Sequence, residues 1–398
     1  MGGNVDSKDQ FARRVMERVH TEGGVDPRLD TDAFAVRFDE NSVLYLEDLY
    51  RDTTNASDLA KEAHIAHFVT TTMSSIDWPC DWNEALPRLR PILKPSTYTI
   101  DSGSGLLLSR RVFPLIDELV VIDKAAHRTA VSWQTIETWG IDPATVFAAA
   151  RSNLATITQH ADPTKGRAVQ RLVDAGGDPH PQAANRDGNR YVTSWLLDPG
   201  WLASHRARFG CPPVAFIPDD QTVHVLPGDD DELLDQHFER AEAQYARTSR
   251  ALSPQAYTVD DNGAVITFDQ THPDHSGAAR ARCIHIIREY AAQGDWLRRQ
   301  YHLEGIGTEV GTVTVKATAF GPRTVTIWSE TADCALPVAD LVAFTDDRSP
   351  PFYVQFADVA SITGIRAADG LDPARFQVSA WPTSHIIDEL RAHSLPVD

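Results

Sequence analysis

The sequence predicts an α+β fold of two to three domains, with mixed and antiparallel sheets flanked by helices. Three observations carry that expectation. A helix–hairpin–helix pattern runs through residues 8–73 and recurs around 201–250. Strands and helices follow one another without the regular β-α rhythm of a doubly wound sheet. The chain has 398 residues, which suits two or three domains at about 150 residues each. Hydrophobic residues make up 42% and charged residues 23%, which excludes wholesale disorder, a collagen helix or a coiled-coil rod.

In the first pattern, Phe11, Ala12, Val15, Met16 and Val19 form one stripe of a helix over 8–20, stopped by Gly23 and Gly24. Phe34, Val36 and Phe38 alternate as a strand, Asp39–Ser42 turns the chain, and Val43–Leu46 returns. A second helix is expected over about 57–73, with Leu59, Ala63, Phe68 and Val69 mostly inward. Residues 74–90 are a connector containing Trp78, Pro79, Trp82 and Pro87. Short strands follow near Arg90–Leu93 and Glu118–Ile122. A helix opens at Pro143, a favoured first-turn residue, and carries Val146, Phe147, Ala150 and Leu154.

Residues 159–190 hold few apolar anchors and read as a long mobile loop, with some helix near Val169–Val173. Trp195, Leu196 and Leu197 then lead into a helix through Trp201 and Leu202. Val214–Ile217 and Val223–Leu226 flank the turn Pro218-Asp219-Asp220-Gln221, a clear hairpin. Leu234, Phe238, Ala241 and Tyr245 mark the next helix, which Asp229 or Asp230 would cap. Ala264–Phe268 closes this region as a strand.

The polar segment Gln270–Ser276 is taken as a boundary. The expected domains are therefore 1–80, 81–268 and 269–398. In the last, Cys283, Ile287, Tyr290, Leu297 and Tyr301 mark a long helix. Val313, Val315 and Ala317 alternate as a strand, as do Val325 and Ile327. Leu341–Phe344 and Phe352–Phe356 are further apolar runs, and Pro382 opens a final helix.

Lys and Arg number 37 against 56 Asp and Glu, a formal net charge of −19. That balance argues against nucleic acid and against an anionic membrane surface as main partners. No apolar run approaches the about 18 residues of a spanning helix, and no signal-peptide core follows the polar N-terminus. Cys80, Cys211, Cys283 and Cys334 lie far apart with no Cys-x-x-Cys pair, as expected of idle thiols in a reducing cytoplasm.

Motifs that could carry chemistry each have an ordinary structural alternative. His272-Pro273-Asp274-His275 is the most ligand-like cluster, with His272, Asp274 and His275 as candidate metal ligands. The alternative is a linker in which Asp274 or Ser276 caps the following helix. Asp229–Glu232 lacks the spacing of a calcium loop and suits a helix N-terminus. Asp219 and Asp220 are adjacent in a turn, so their side chains point apart. Gly305, Gly307 and Gly311 follow a helix rather than precede one, which fits a C-cap and not a dinucleotide fingerprint. No cofactor is implied. Trp78 and Trp82, set in a polar connector, are candidate partner-facing residues because Trp is enriched at interfaces.

The order of several short motifs resembles the YtpQ-like family of bacterial proteins, over about residues 8–268. They include Phe11-Ala12-Arg13-Arg14-Val15-Met16, Leu46-Glu47-Asp48-Leu49-Tyr50, Leu89-Arg90-Pro91-Ile92-Leu93-Lys94 and Asn153-Leu154. Tyr191-Val192-Thr193-Ser194-Trp195-Leu196-Leu197 and Val214-Ala215-Phe216-Ile217-Pro218-Asp219-Asp220 complete the set. The resemblance implies no activity, because that family is a domain of unknown function. Val192 stands where members carry an acidic residue, which removes a polar role there. Residues 269–398 lie outside the resemblance, as an added domain.

Taken together, the expectation is a cytoplasmic protein-binding or regulatory module without catalysis, acting on a protein partner of unknown identity. Two alternatives remain open. One is a hydrolase or transferase whose site is assembled from dispersed His and Asp or Glu residues. The other is a toxin-neutralising protein of the immunity type, whose acidic surface would suit a basic toxin.

Overall fold

A computed structural model of the chain describes residues 7–23, 27–31, 34–37, 43–53, 57–73, 81–100, 107–123, 128–160, 189–198, 200–319, 321–330, 333–346 and 348–396. Two compact units emerge: Met1–Ala85 with Asp123–Thr129, and Leu86–Ile122 with Ala130–Asp398. The architecture is α+β, with five sheets among the described residues. Apart from its ends, the loop expected at 159–190 lies outside the described residues.

The first unit opens with the helix Lys8–Gly23. Ser7 Oγ accepts from the Gln10 N–H at 3.3 Å and Gln10 Oε1 accepts from the Ser7 N–H at 3.2 Å, a reciprocal capping box. Strands β1 (Arg28–Asp30), β2 (Ala35–Arg37) and β3 (Val43–Tyr45) form an antiparallel meander in that order. Helices Glu47–Thr53 and Asp58–Met73 follow. Phe11, Val15, Val19, Val36, Leu46, Leu49, Ile65 and Val69 make its core. On the first helix Phe11, Val15 and Val19 fall at the spacing the sequence predicts, and that helix meets the meander. On the helix Asp58–Met73 the expected inward stripe is corrected: Leu59 and Ala63 are exposed, and Ile65 and Val69 face the first helix instead.

In the second unit, β4 (Leu89–Pro95), β5 (Ser109–Phe113) and β6 (Ile116–Asp123) form a sheet in the order β4-β6-β5. The next strand in the chain, β7 (Arg128–Ala130), begins in residues assigned to the first unit. Helix Pro143–His160 lays Phe147, Ala150 and Leu154 inward. β6 also buries two acids, and each is matched. The Glu118 carboxylate, wholly buried, accepts from Arg110 Nε at 2.8 Å and from Arg151 Nη2 at 2.6 Å. Asp117 accepts from Arg111 Nε at 2.6 Å. Charge-assisted bonds of this geometry are what allow carboxylates inside a protein.

The second sheet has the order β11-β10-β8-β9, from β8 (Pro213–Phe216), β9 (His224–Pro227), β10 (Ala256–Val259) and β11 (Val265–Thr267). Alternate residues feed opposite faces. Val214 and Phe216 join Leu234, Phe238 and Ala241 of helix Asp231–Arg247, whereas Ala215 and Ile217 join Trp195, Leu196 and Leu202. The long helix Ser276–Glu304 passes against this layer, and at 29 residues it is about 44 Å long. A Cβ on Gly277 would stand 2.8 Å from the Phe238 ring, so only glycine permits that close crossing.

The long helix continues against two further sheets. One, in the order β12-β15-β18, contains β12 (Glu309–Val310), β15 (Cys334–Pro337) and β18 (Arg375–Val378), strands the sequence pattern does not announce. The other, in the order β13-β14-β16-β17, contains β13 (Val313–Thr318), β14 (Gly321–Ser329), β16 (Leu341–Thr345) and β17 (Phe352–Gln355). Helices Phe356–Thr363 and Ser384–Ala392 help build a core of Trp328, Val342, Phe344, Val354, Val359 and Leu390. The segment Gln270–Ser276, taken as a boundary from sequence, lies inside the second unit.

Arg375 ties these layers together while fully buried. Its Nε donates to Gln293 Oε1 at 2.6 Å, and its Nη1 donates to the carbonyls of Gly311 at 2.8 Å and Ala335 at 3.0 Å. Its Nη2 donates to the Tyr290 carbonyl at 3.1 Å, and the guanidinium lies 5.3 Å from the Tyr290 ring. Burial pushes the guanidinium down to about 10, so it stays a cation at neutral pH, balanced by carbonyl dipoles and a ring face.

Candidate partner-binding edge

Strand β13 ends its sheet. It pairs with β14 from Val313↔Thr326 to Thr318↔Gly321, and no described strand pairs with its outer side. Only two residues separate Thr318 from its partner Gly321. Such a hairpin closes on a hydrogen-bonded pair, and bonded pairs alternate along an antiparallel ladder. Thr318, Lys316 and Thr314 therefore bond to β14, and Val313, Val315 and Ala317 turn their backbone groups outward.

The register also fixes the faces. Val313, Val315 and Ala317 share a face with Thr324, Thr326, Trp328, Val342 and Phe344. Val313 is buried beside Ile286, Ile287 and Tyr290 of the long helix, but Val315 is 51% exposed. On the opposite face, Thr314 and Lys316 stand beside Arg323, Val325 and Ile327, then Leu341, Ala343 and Tyr353. Val325, Leu341 and Ala343 are buried there under Tyr353, but Ile327 is 49% exposed. The alternation read from sequence thus holds for Val313 and Val325 and fails at Val315 and Ile327. The long helix covers β13 only near its start.

Lys316 and Arg323 are direct partners across the ladder. Lys316 Nζ donates to Tyr353 Oη at 3.2 Å and lies 4.4 Å from the Tyr353 ring centroid. Arg323 has no hydrogen bond or ion pair among the described residues. Like charges directly opposite one another destabilise a sheet. Backbone groups of an open edge, two exposed aliphatic residues and an uncompensated cation therefore meet on one strand pair.

The interior holds a second cluster of polar groups, and its chemistry is different. Gln255 Nε2 donates to His285 Nδ1 at 2.8 Å. Tyr257 Oη donates to Ser253 Oγ at 2.9 Å, and the Gln255 N–H reaches the same oxygen at 3.2 Å. Burial pushes His285 down to about 3, with Arg111 and Arg288 adding repulsion. A base works best with a pKa near the ambient pH, so this imidazole is a poor proton acceptor, and Ser253 is bonded to Tyr257 instead. Burial raises the Glu289 carboxyl, whose Oε2 accepts from Ser96 Oγ at 3.2 Å, the Thr97 N–H at 3.1 Å and Thr97 Oγ1 at 2.9 Å. These groups join the β4 region to the long helix.

The residues singled out from sequence fall as follows. His272 stacks on Phe268 with ring centroids 4.1 Å apart and bonds Thr271 Oγ1 at 2.8 Å. His275, not Asp274 or Ser276, caps the long helix: its Nδ1 accepts from the Ala278 N–H at 3.3 Å. His275 Nε2 stands 3.8 Å from Asp235, whereas Asp274 is exposed. Among the described residues no group of three or more His, Cys, Asp or Glu is placed to hold a metal ion. Trp82 is half-buried in the short helix Trp82–Ala85, and Trp78 lies outside the described residues.

Asp230 caps helix Asp231–Arg247 as expected, accepting from the Leu233 N–H at 3.0 Å. Asp219 and Asp220 point apart, Asp219 to Gln244 at 2.7 Å and Asp220 to Lys94 at 2.9 Å. Gly305 is the C-cap of the long helix. Cys211, Cys283 and Cys334 are buried and unbridged, and Cys80 lies outside the described residues. Lys316 and Arg323 were not singled out, although counting back from the turn before Gly321 pairs them.

No described helix is long and apolar enough to cross a membrane. In comparisons with family models, curated proteins and solved structures, nothing matches the chain.

Proposed function

We propose that this protein is a non-catalytic protein-binding module that takes up an extended segment of a partner along β13. The observation that carries this reading is the open edge itself. Its outward backbone groups are flanked by Val315 and Ile327, each about half exposed. Strand addition uses such an edge for affinity and the alternating side chains for specificity. A cytoplasmic location and kinship with the YtpQ-like family belong to the same proposal.

Affinity capture with the full chain tests it, run in parallel with the Val315→Pro variant and followed by reconstitution with the purified partner. Proline at an outward-facing position removes an N–H from the edge and leaves the ladder to β14 intact. The expected result is a stoichiometric partner that the variant loses while melting at an unchanged temperature. Recovery of no partner, or of one that the variant retains, overturns the reading.

A further inference from the structure

We infer that the segment added to β13 is acidic, with carboxylates alternating with aliphatic side chains. The inference rests on the strand-addition reading and specifies its partner. An added strand continues the sheet, so its side chains fall alternately on the two faces. Those beside Lys316 and Arg323 meet two cations directly opposed across the ladder, of which Arg323 has no acidic partner among the described residues. Those on the other face meet Val315, 51% exposed beyond the cover of the long helix. One face calls for Asp or Glu and the other for Val, Ile or Leu.

Charge complementarity is what selects this occupant. A second copy paired edge to edge would bring its own Lys316 and Arg323 towards the same cations, which disfavours it. A segment of acidic side chains on one face is drawn to the local cations. Arg323 is the part of the edge that an added carboxylate relieves, and in the free protein its charge hinders edge-to-edge pairing of two copies.

Fluorescence polarisation tests this with the full-length protein and two labelled octapeptides, one alternating Glu and Val, the other Lys and Val. The Glu-Val peptide is expected to bind saturably and to weaken with added salt. Arg323→Glu should weaken it roughly tenfold or more. That variant places opposite charges across the ladder, so its melting temperature should not fall and lost binding is not unfolding.

Equal or tighter binding of the Lys-Val peptide overturns the acidic assignment. If Val315→Pro abolishes that binding, the edge reading survives without it. Glu-Val binding unchanged in Arg323→Glu also overturns the inference. So does saturation by neither peptide, in which case the capture experiment alone decides the parent reading.

Discussion

Two sheets of the second unit treat their cations in opposite ways. In β4-β6-β5, Arg110 lies opposite Glu118 and Arg111 opposite Asp117, and each pair is closed by a direct bond. Lys94, at the end of β4, reaches Asp220 at 2.9 Å. In β13-β14-β16-β17, Lys316 lies opposite Arg323. The first sheet is packed on by helix Pro143–His160, and its charges are neutralised locally because water cannot do it. The second has its edge strand β13 largely in solvent, where a like-charge pair is tolerable. The difference teaches that a mismatch persists where the chain leaves room for something else to answer it.

The comparison breaks first at Glu118. Glu118→Ala leaves Arg110 and Arg151, each about a third exposed, without their buried partner, and urea unfolding should show a loss of about 1.5–3 kcal/mol. A loss below about 1 kcal/mol would falsify the view that this sheet depends on matched charges.

Acid comes next. His224 and His285 have folded-state values of about 4 and about 3, below the ordinary 6.5, chiefly through burial. Below pH 6.5 the unfolded chain takes up protons that the folded chain refuses, so stability is full above that pH and declines beneath it. Each group contributes about 1.4 kcal/mol per pH unit. Between pH 6.5 and 5.5 the two together should cost about 2 kcal/mol, and a flat profile there would show that neither imidazole is held neutral. Burial raises Asp117 and Glu289 instead, so their contribution favours the folded state only near and below their unfolded values of 3.8 and 4.5. Arg323→Glu, at the open edge, should leave this profile unchanged.

A smaller effect of opposite sign is expected at Glu289. Glu289→Gln keeps an acceptor for Ser96 and Thr97 and removes a charge that burial opposes. The urea midpoint should rise at pH 7, and the advantage should vanish towards pH 4. The smallest effect is at the edge: Arg323→Glu should stabilise the fold by about 0.2–1 kcal/mol, read as a small rise in melting temperature. A fall would mean that Arg323 is already compensated.

Elements set by local pattern were legible. The hairpin of β8 and β9 showed two alternating runs around Pro218-Asp219-Asp220, and the long helix showed Cys283, Ile287, Tyr290 and Leu297 at helical steps. What depends on distant parts of the chain was not. β12, β15 and β18 are two to four residues long, pair with one another, and are tied to the long helix through Arg375. Whether Val315 faces a core or solvent depends on where the long helix ends its cover, which no window around β13 contains. The cap at His275 escaped because three neighbouring residues offered competing acceptors. For the candidate site, the Lys316–Arg323 pairing was within reach of turn counting. The openness of the edge was not, since it reflects the absence of a further strand among the described residues.

The Arg375 clamp has a consequence for how the edge meets a partner. One of its bonds holds the carbonyl of Gly311, two residues before β13 begins. A Cβ at Gly311 would lie 2.9 Å from Pro337 and 3.1 Å from Cys334, so the chain is fastened there against β15. The root of the edge strand is thus fixed by a wholly buried cation, and its far end by the ladder to β14. A partner docks on backbone that is already ordered, and the entropy lost on association falls mainly on the incoming segment. Gly311→Ala should therefore slow association more than it weakens any single contact, because it loosens the template on which the segment aligns.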